Sequence, residues 1–167
     1  YVELIKSRII MDRAVKVLPV KVSYYSKGTV LENEMYNSSP FEVEYFIRDS
    51  SIYDKRINIQ FSNETSYKLS YQPAGQADIF TENFKVNQWV VLKEVNVRIK
   101  VKDYNRILKQ QSQFKKNTYY FTINSSSTLA RTYLNALTTY NLNPDAKTII
   151  IKIKEKSPDK ASDIANA

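Results

Sequence analysis

Period-two alternation of apolar and polar residues constrains the fold more than any other feature of this sequence. Four runs between residues 41 and 102 show it: 41–48, 57–62, 67–71 and 95–102. Such alternation is typical of β-strands with one buried face. Residues that favour turns bound each run, and the segment 72–76 holds both Pro73 and Gly75. The sequence therefore predicts an all-β middle, with Phe84, Val86 and the segment 89–92 leading into the last strand.

The last third of the chain, residues 118–167, has a different pattern. Residues 118–123 predict a strand, 126–137 a helix and 148–154 a second strand, whose isoleucines are expected to bury one face fully and the other partly. Turn-forming residues at 141–145 are expected to end the helix. A second helix is expected from Pro158, with Ser157 as its N-cap. This order predicts a βαβ-type unit.

The remaining segments complete the predicted architecture. Residues 2–18 predict one helix with a broad apolar face, ended by Pro19, and residues 20–25 predict a short strand. Residues 103–117 form a polar connector with room for a short helix. The predicted class is α+β: a mixed sheet with a βαβ-type C-terminal unit, an N-terminal helix packed on it and a β-rich middle. A single domain is expected over 1–167, in the segments 1–40, 41–102, 103–117 and 118–167.

Composition removes several kinds of chemistry. The chain has no Cys, no His and two glycines, Gly28 and Gly75, which are isolated from each other. Thiol and imidazole nucleophiles, a Ser-His-Asp triad, Cys/His zinc sites and a glycine-rich phosphate loop are therefore excluded. We predict no catalytic, cofactor-binding or metal-binding residues. Glu42 and Glu44 resemble a glycosidase pair only in their spacing, so a hydrolase is the least favoured function.

The net charge of +8 raises the question of an anionic partner. Arg98, Lys100 and Lys102 alternate with buried positions of one predicted strand and give it a basic outer face. We favour a solvated face that protects a sheet edge, and the alternative is a surface that binds a polyanion or glycan. No nucleic-acid motif accompanies the basic residues, so no nucleic-acid partner is expected. We expect Trp89 in the core, beside three aliphatic residues, rather than as a platform for sugar stacking.

Both ends of the chain resemble one protein family. The N-terminal similarity lies in Leu4-Ile5-Lys6-Ser7-Arg8, Val22-Ser23-Tyr24-Tyr25, Gly28, Glu34-Met35-Tyr36 and Pro40-Phe41-Glu42-Val43. The C-terminal similarity lies in the isoleucine strand, Ser157-Pro158-Asp159-Lys160-Ala161 and Ile164-Ala165-Asn166-Ala167. In this order the motifs resemble the periplasmic domain of chain-length determinant proteins, the polysaccharide co-polymerases, some of which carry a cytoplasmic tyrosine-kinase domain. The similarity covers about half of the chain, and the β-rich middle is similar in length only, to Bacteroidetes-type members.

This resemblance implies a periplasmic piece of an inner-membrane protein, with a membrane span on each side. Such proteins form homo-oligomers, work with the polysaccharide polymerase and export machinery, and set polymer length or assist export. The last helix is then expected to run on past Ala167, any kinase domain to lie beyond it, and this fragment to have no activity of its own. Arg8 is the candidate subunit contact, while Trp89, Arg98, Lys100 and Lys102 are the candidate glycan contacts. The alternative function is a carbohydrate- or polyanion-binding β-rich module.

Overall fold

The computed structural model describes residues 5–28, 31–113, 118–143 and 148–167. They form two compact units. The larger unit is Val22–Ile123, and the smaller unit combines Tyr1–Lys21 with Asn124–Ala167, as far as these ranges are described. The predicted α+β class and the β-rich middle are confirmed.

Antiparallel strands build the larger unit. In chain order they are β1 (Val22–Lys27), β2 (Glu32–Glu34), β3 (Phe41–Ile47), β4 (Ile57–Asn63), β5 (Ser66–Tyr71), β6 (Phe80–Lys85), β7 (Trp89–Val91), β8 (Val95–Val101) and β9 (Thr118–Ile123). Six of them form a sheet in the order β2-β1-β9-β4-β5-β6, and three form a second sheet in the order β3-β8-β7. The two segments Tyr36–Ser38 and Ser50–Ile52 are short 3-10 helices.

One hydrophobic core fills the larger unit and takes side chains from both sheets. Phe41 on β3 is fully buried and contacts three rings of the six-stranded sheet, those of Tyr24, Phe61 and Tyr119, with ring centroids 5.4–5.6 Å apart. The buried residues fall on alternate positions of β3, β4, β5 and β8, as the period-two runs predict. The connector contains the helix α2 (Tyr104–Gln113), which adds Ile107 to the core, while residues 114–117 lie outside the described ranges.

Helices and one β-hairpin form the smaller unit. Its elements are α1 (Arg8–Val17), α3 (Ser126–Ala136), β10 (Leu137–Asn143), β11 (Thr148–Ile153) and α4 (Pro158–Asn166). α1 packs against α3, so the prediction of an N-terminal helix on the C-terminal segment is confirmed. The start of α4 also matches its prediction, since the Ser157 hydroxyl accepts from the Lys160 N–H and Pro158 is at the first helical position.

The predicted βαβ-type unit is wrong. Strand β9 pairs with β1 and β4 in the six-stranded sheet, whereas β11 pairs antiparallel with β10. The helix α3 ends at Ala136, and the expected helix end and turn at 137–143 are a strand, while 144–147 lie outside the described ranges. Thr138, Thr139 and Tyr140 favour a strand, and an antiparallel hairpin needs no crossover connection. The local pattern thus identified strands but not their partners.

Two local predictions are also corrected. The helix expected over 2–18 is not continuous: Ile5 is helical, Lys6 and Ser7 are not, and α1 begins at Arg8. Ser7 has an extended backbone, and its hydroxyl accepts from the Ile10 N–H as an N-cap. Residues 1–4 lie outside the described ranges. The expected burial of one isoleucine face of β11 is incomplete: Ile151 is 42% exposed, because β11 belongs to a two-stranded sheet with one neighbouring strand.

The hydroxyl of Tyr67 is a buried polar group whose effect on the stability of the core can be measured. Tyr67 is fully buried, and its hydroxyl has no hydrogen-bond partner among the described residues. Burial raises the pKa of this phenol, in keeping with an apolar site. A buried, unpaired hydroxyl costs free energy, so Tyr67→Phe should leave the free energy of unfolding unchanged or raise it by roughly 1 kcal/mol. Urea denaturation measures this, with Tyr119→Phe as control, since the Tyr119 hydroxyl donates to Gln110 at 2.5 Å. Clear destabilisation by Tyr67→Phe alone would show that the Tyr67 hydroxyl is hydrogen-bonded in the folded protein.

Candidate functional site

The outer face of the three-stranded sheet brings most of the predicted glycan contacts together. Strand register fixes two rows across it. Trp89 on β7 is opposite Arg98 on β8, which is opposite Glu44 on β3. In the next row, Val91 is opposite Asn96, which is opposite Phe46. We call this surface, with Trp89, Val91, Asn96, Arg98, Glu44 and Phe46, the Trp89 face.

The expectation that Trp89 belongs to the core is wrong. Its side chain is 50% exposed, whereas Val90 and Leu92 are buried. The reason is the alternation of β7, which directs Val90 into the core and its neighbours Trp89 and Val91 outward. The Arg98 guanidinium carbon lies 4.9 Å from the centroid of the indole ring, a cation–π contact. Arg98 therefore lies over one face of the ring, and half of the Trp89 surface is open to solvent.

Carboxylates of β3 partly neutralise the basic residues of β8. Glu44 forms ion pairs with both Arg98 and Lys100, and Glu42 pairs with Lys102 at 3.4 Å. The favoured prediction of a solvent-facing basic strand is met in part: β8 directs these side chains outward, but it is the central strand of its sheet, so the expected protection of a sheet edge is wrong. Two carboxylates offset two of the three cations Arg98, Lys100 and Lys102. The hydrogen bonds from Lys100 and then Arg98 lower the pKa of Glu44. A glycosidase acid needs a raised pKa, so Glu44 is unsuited to that role.

Two apolar side chains of the Trp89 face were not identified as site residues from the sequence. Phe46 is 66% exposed and Val91 is 67% exposed. The signal was present for Phe46, which falls in the polar phase of its strand, with Glu42 and Glu44. Asn96 lies between Phe46 and Val91 in the register, and its amide oxygen is buried without a hydrogen-bond partner among the described residues. The Trp89 face thus combines exposed apolar side chains with fixed polar groups.

The helix α1 presents the other notable surface, and it lies in the smaller unit. Met11, Ala14 and Val15 are buried, while Ile9 and Val17 are 68% and 74% exposed. Arg8, the predicted subunit contact, has an exposed side chain that makes a long ion pair with Asp12, at 3.8 Å. A cleft of about 270 Å³ beside Arg8 lies between the two packed helices. Its lining is Arg8, Ser127, Arg131, Leu134 and Asn135.

Two further clefts lie in the larger unit. One, of about 390 Å³, runs between Lys55, Arg56 and the turn at 72–76. In that turn Gly75 has φ +71°, which its missing Cβ permits. The other, of about 170 Å³, lies on the six-stranded sheet among Asn58, Gln60 and other polar side chains. Neither cleft brings together groups that would form a nucleophile with its base.

Metal-binding and membrane-spanning features are not found in the described ranges. No three His, Cys, Asp or Glu side chains come together there that could hold a metal ion. Among the described helices, none combines the length and the hydropathy that crossing a bilayer requires. No protein-family model matches the sequence, and no curated protein shows significant similarity to it.

Proposed function

We propose that this chain is a periplasmic assembly domain of an inner-membrane protein that controls the chain length or the export of a surface polysaccharide. It acts through contacts between copies of itself and with the polymerase and export machinery, and this part of the chain carries out no chemistry. The observation that carries the proposal is the exposed apolar face of α1. The motifs at both chain ends, which resemble those of chain-length determinant proteins, supply the biological setting.

The apolar residues of α1 divide into a buried group and an exposed group. Met11, Ala14 and Val15 point one way and are buried. At 100° per residue, Ile9, Ile10 and Val17 span an arc of about 100° on another side. They are 68%, 40% and 74% exposed. Exposed aliphatic side chains grouped on one helix face favour burial against a partner, because water is released from apolar surface. On the same wheel Arg13 lies within this arc, about 40° from Ile9, and would supply a polar contact of the interface, while Arg8 lies about 100° outside the arc.

Cysteine cross-linking tests this interface directly, because the chain has no native cysteine. The variants Ile9→Cys and Val17→Cys, alone and mixed, should give cross-linked oligomers with a short bismaleimide. Ile10→Lys in the same chains should reduce the yield several-fold, because a buried, unpaired ammonium opposes association. Glu64→Cys, at an exposed turn of the larger unit, is the matched control. Equal yields from Glu64→Cys and Val17→Cys would refute the interface.

A carbohydrate-binding module is the second candidate function, and the Trp89 face favours it. The exposed indole beside a fixed arginine is unlike a buried structural tryptophan. The polyanion version of this function has weaker support, since Glu44 and Glu42 pair with the cations that would attract an anionic polymer.

A further inference from the structure

We infer that the Trp89 face binds the uncharged pyranose units of a polysaccharide, with the indole of Trp89 as a stacking platform. The inference rests on the proposed function in one respect: it identifies the surface through which an assembly domain would touch its polymer. The rings, the charges and the strand register of the face support it.

The first requirement for binding a pyranose is a flat surface on which the sugar ring can stack. A pyranose ring presents its C–H bonds on flat faces, which pack against the π face of an aromatic ring, while its hydroxyls point outward to polar groups. Trp89 offers such a ring, with one side closed by Arg98 at 4.9 Å. Glu44 holds Arg98 by an ion pair, so the guanidinium is fixed behind the indole. A platform that is already ordered loses little conformational entropy when a sugar binds.

The second requirement, for binding a polysaccharide, is a surface long enough to contact more than one sugar unit. Phe46 lies two strands and one further register row away from Trp89. Strand spacing and residue rise place their Cα atoms roughly 12 Å apart. Two rings at this separation can contact different sugar units of one chain, with Arg98 and Asn96 of the intervening strand between them. The face therefore suits an oligosaccharide better than a monosaccharide.

Polar partners are the third requirement. Arg98, Glu44 and Asn96 supply donors and acceptors within the two rows of the face. The amide oxygen of Asn96 accepts no hydrogen bond within the described part of the chain, and a ligand hydroxyl that displaces the covering side chains would satisfy it. Because carboxylates offset most of the positive charge, the face recognises hydroxyls rather than carboxylates or phosphates.

A protein partner fits the face less well. Cores of protein interfaces are depleted of charged residues, yet here the ion pair of Arg98 and Glu44 lies between the exposed apolar side chains. Burial of that pair by a protein would carry a desolvation penalty. Sugar hydroxyls can instead replace the water that hydrates it.

The single tryptophan makes a site-specific experiment possible, because emission excited beyond the tyrosine absorption band reports only on Trp89. The 167-residue chain is titrated with neutral hexaoses of glucose and of mannose, and separately with oligogalacturonate. We expect a saturable change of emission with at least one neutral hexaose. Phe46→Ser should weaken binding at least tenfold, whereas Ile79→Ser, a matched control with 67% exposure elsewhere in the larger unit, should not change it.

Three outcomes would overturn the inference. They are no emission change with either neutral hexaose, a response to oligogalacturonate alone, and a change that follows protein concentration without sugar, which would show contact with a second copy. The cross-linking of α1 is independent of this titration. Absence of sugar binding with specific cross-linking through α1 would refute the glycan face alone. Sugar binding without specific cross-linking would refute the assembly role alone.

Discussion

Replacing Phe41 by alanine should lower the free energy of unfolding of the larger unit by about 3–5 kcal/mol. Phe41 is completely buried on β3, and it joins the two sheets through ring contacts with Tyr24, Phe61 and Tyr119. The variant loses both the transfer free energy of the ring and the contacts around the cavity that it leaves. Domains of this size are stable by about 5–15 kcal/mol, so much of the margin would disappear.

Phe46→Ala is the matched control, since Phe46 is on the same strand but faces outward with 66% exposure. Its effect should stay within about 0.5 kcal/mol, as for most surface substitutions. Urea denaturation followed by the emission of Trp89, which lies in the same unit, compares the two variants. Similar midpoints for Phe41→Ala and the unchanged chain would show that Phe41 does not join the sheets.

The contrast between Phe41 and Phe46 also marks what could be predicted from the sequence. Period-two alternation gives the face of each residue within a strand: Phe41 falls in the apolar phase of the run 41–48 and Phe46 in the polar phase, in agreement with their burial. Trp89 was misplaced because the run 89–92 is apolar throughout, which hides the period. In the structure only the even-numbered members of that run, Val90 and Leu92, point into the core.

Strand partners could not be predicted from local pattern. Glu44 and Arg98 meet across β3 and β8 although 54 residues separate them, and nothing near either residue indicates the register. The same limit produced the wrong βαβ-type unit. The pattern identified β9 and β11 as strands. However, β9 pairs with β1, almost 100 residues earlier, and the sequence around β9 does not indicate this partner. Helix caps, in contrast, depend on neighbours, and the cap at Ser157 was predicted correctly.

The second large effect is expected at Glu94, a buried carboxylate that ties a loop to the core. Glu94 is 1% exposed, and it accepts from the Tyr71 hydroxyl at 2.8 Å and from the Ala74 N–H at 2.7 Å. Burial, and then the hydrogen bond to Glu94, raise the pKa of Tyr71, so this phenol remains a donor across neutral pH. The main-chain carbonyl of Glu94 also accepts hydrogen bonds, from the N–H groups of Arg48 and Asp49.

Glu94→Ala should lower the free energy of unfolding by about 2–6 kcal/mol, because two donors lose their acceptor, at roughly 1–3 kcal/mol each. Glu94→Gln is the informative control. Its amide oxygen can accept from Ala74, and its amide N–H can donate to the Tyr71 oxygen, so most of the stability should return. Hydrogen exchange at the Ala74 amide should accelerate in the alanine variant and remain slow in the glutamine variant. If both variants were equally unstable, the negative charge of Glu94, rather than its hydrogen bonds, would be what holds the loop.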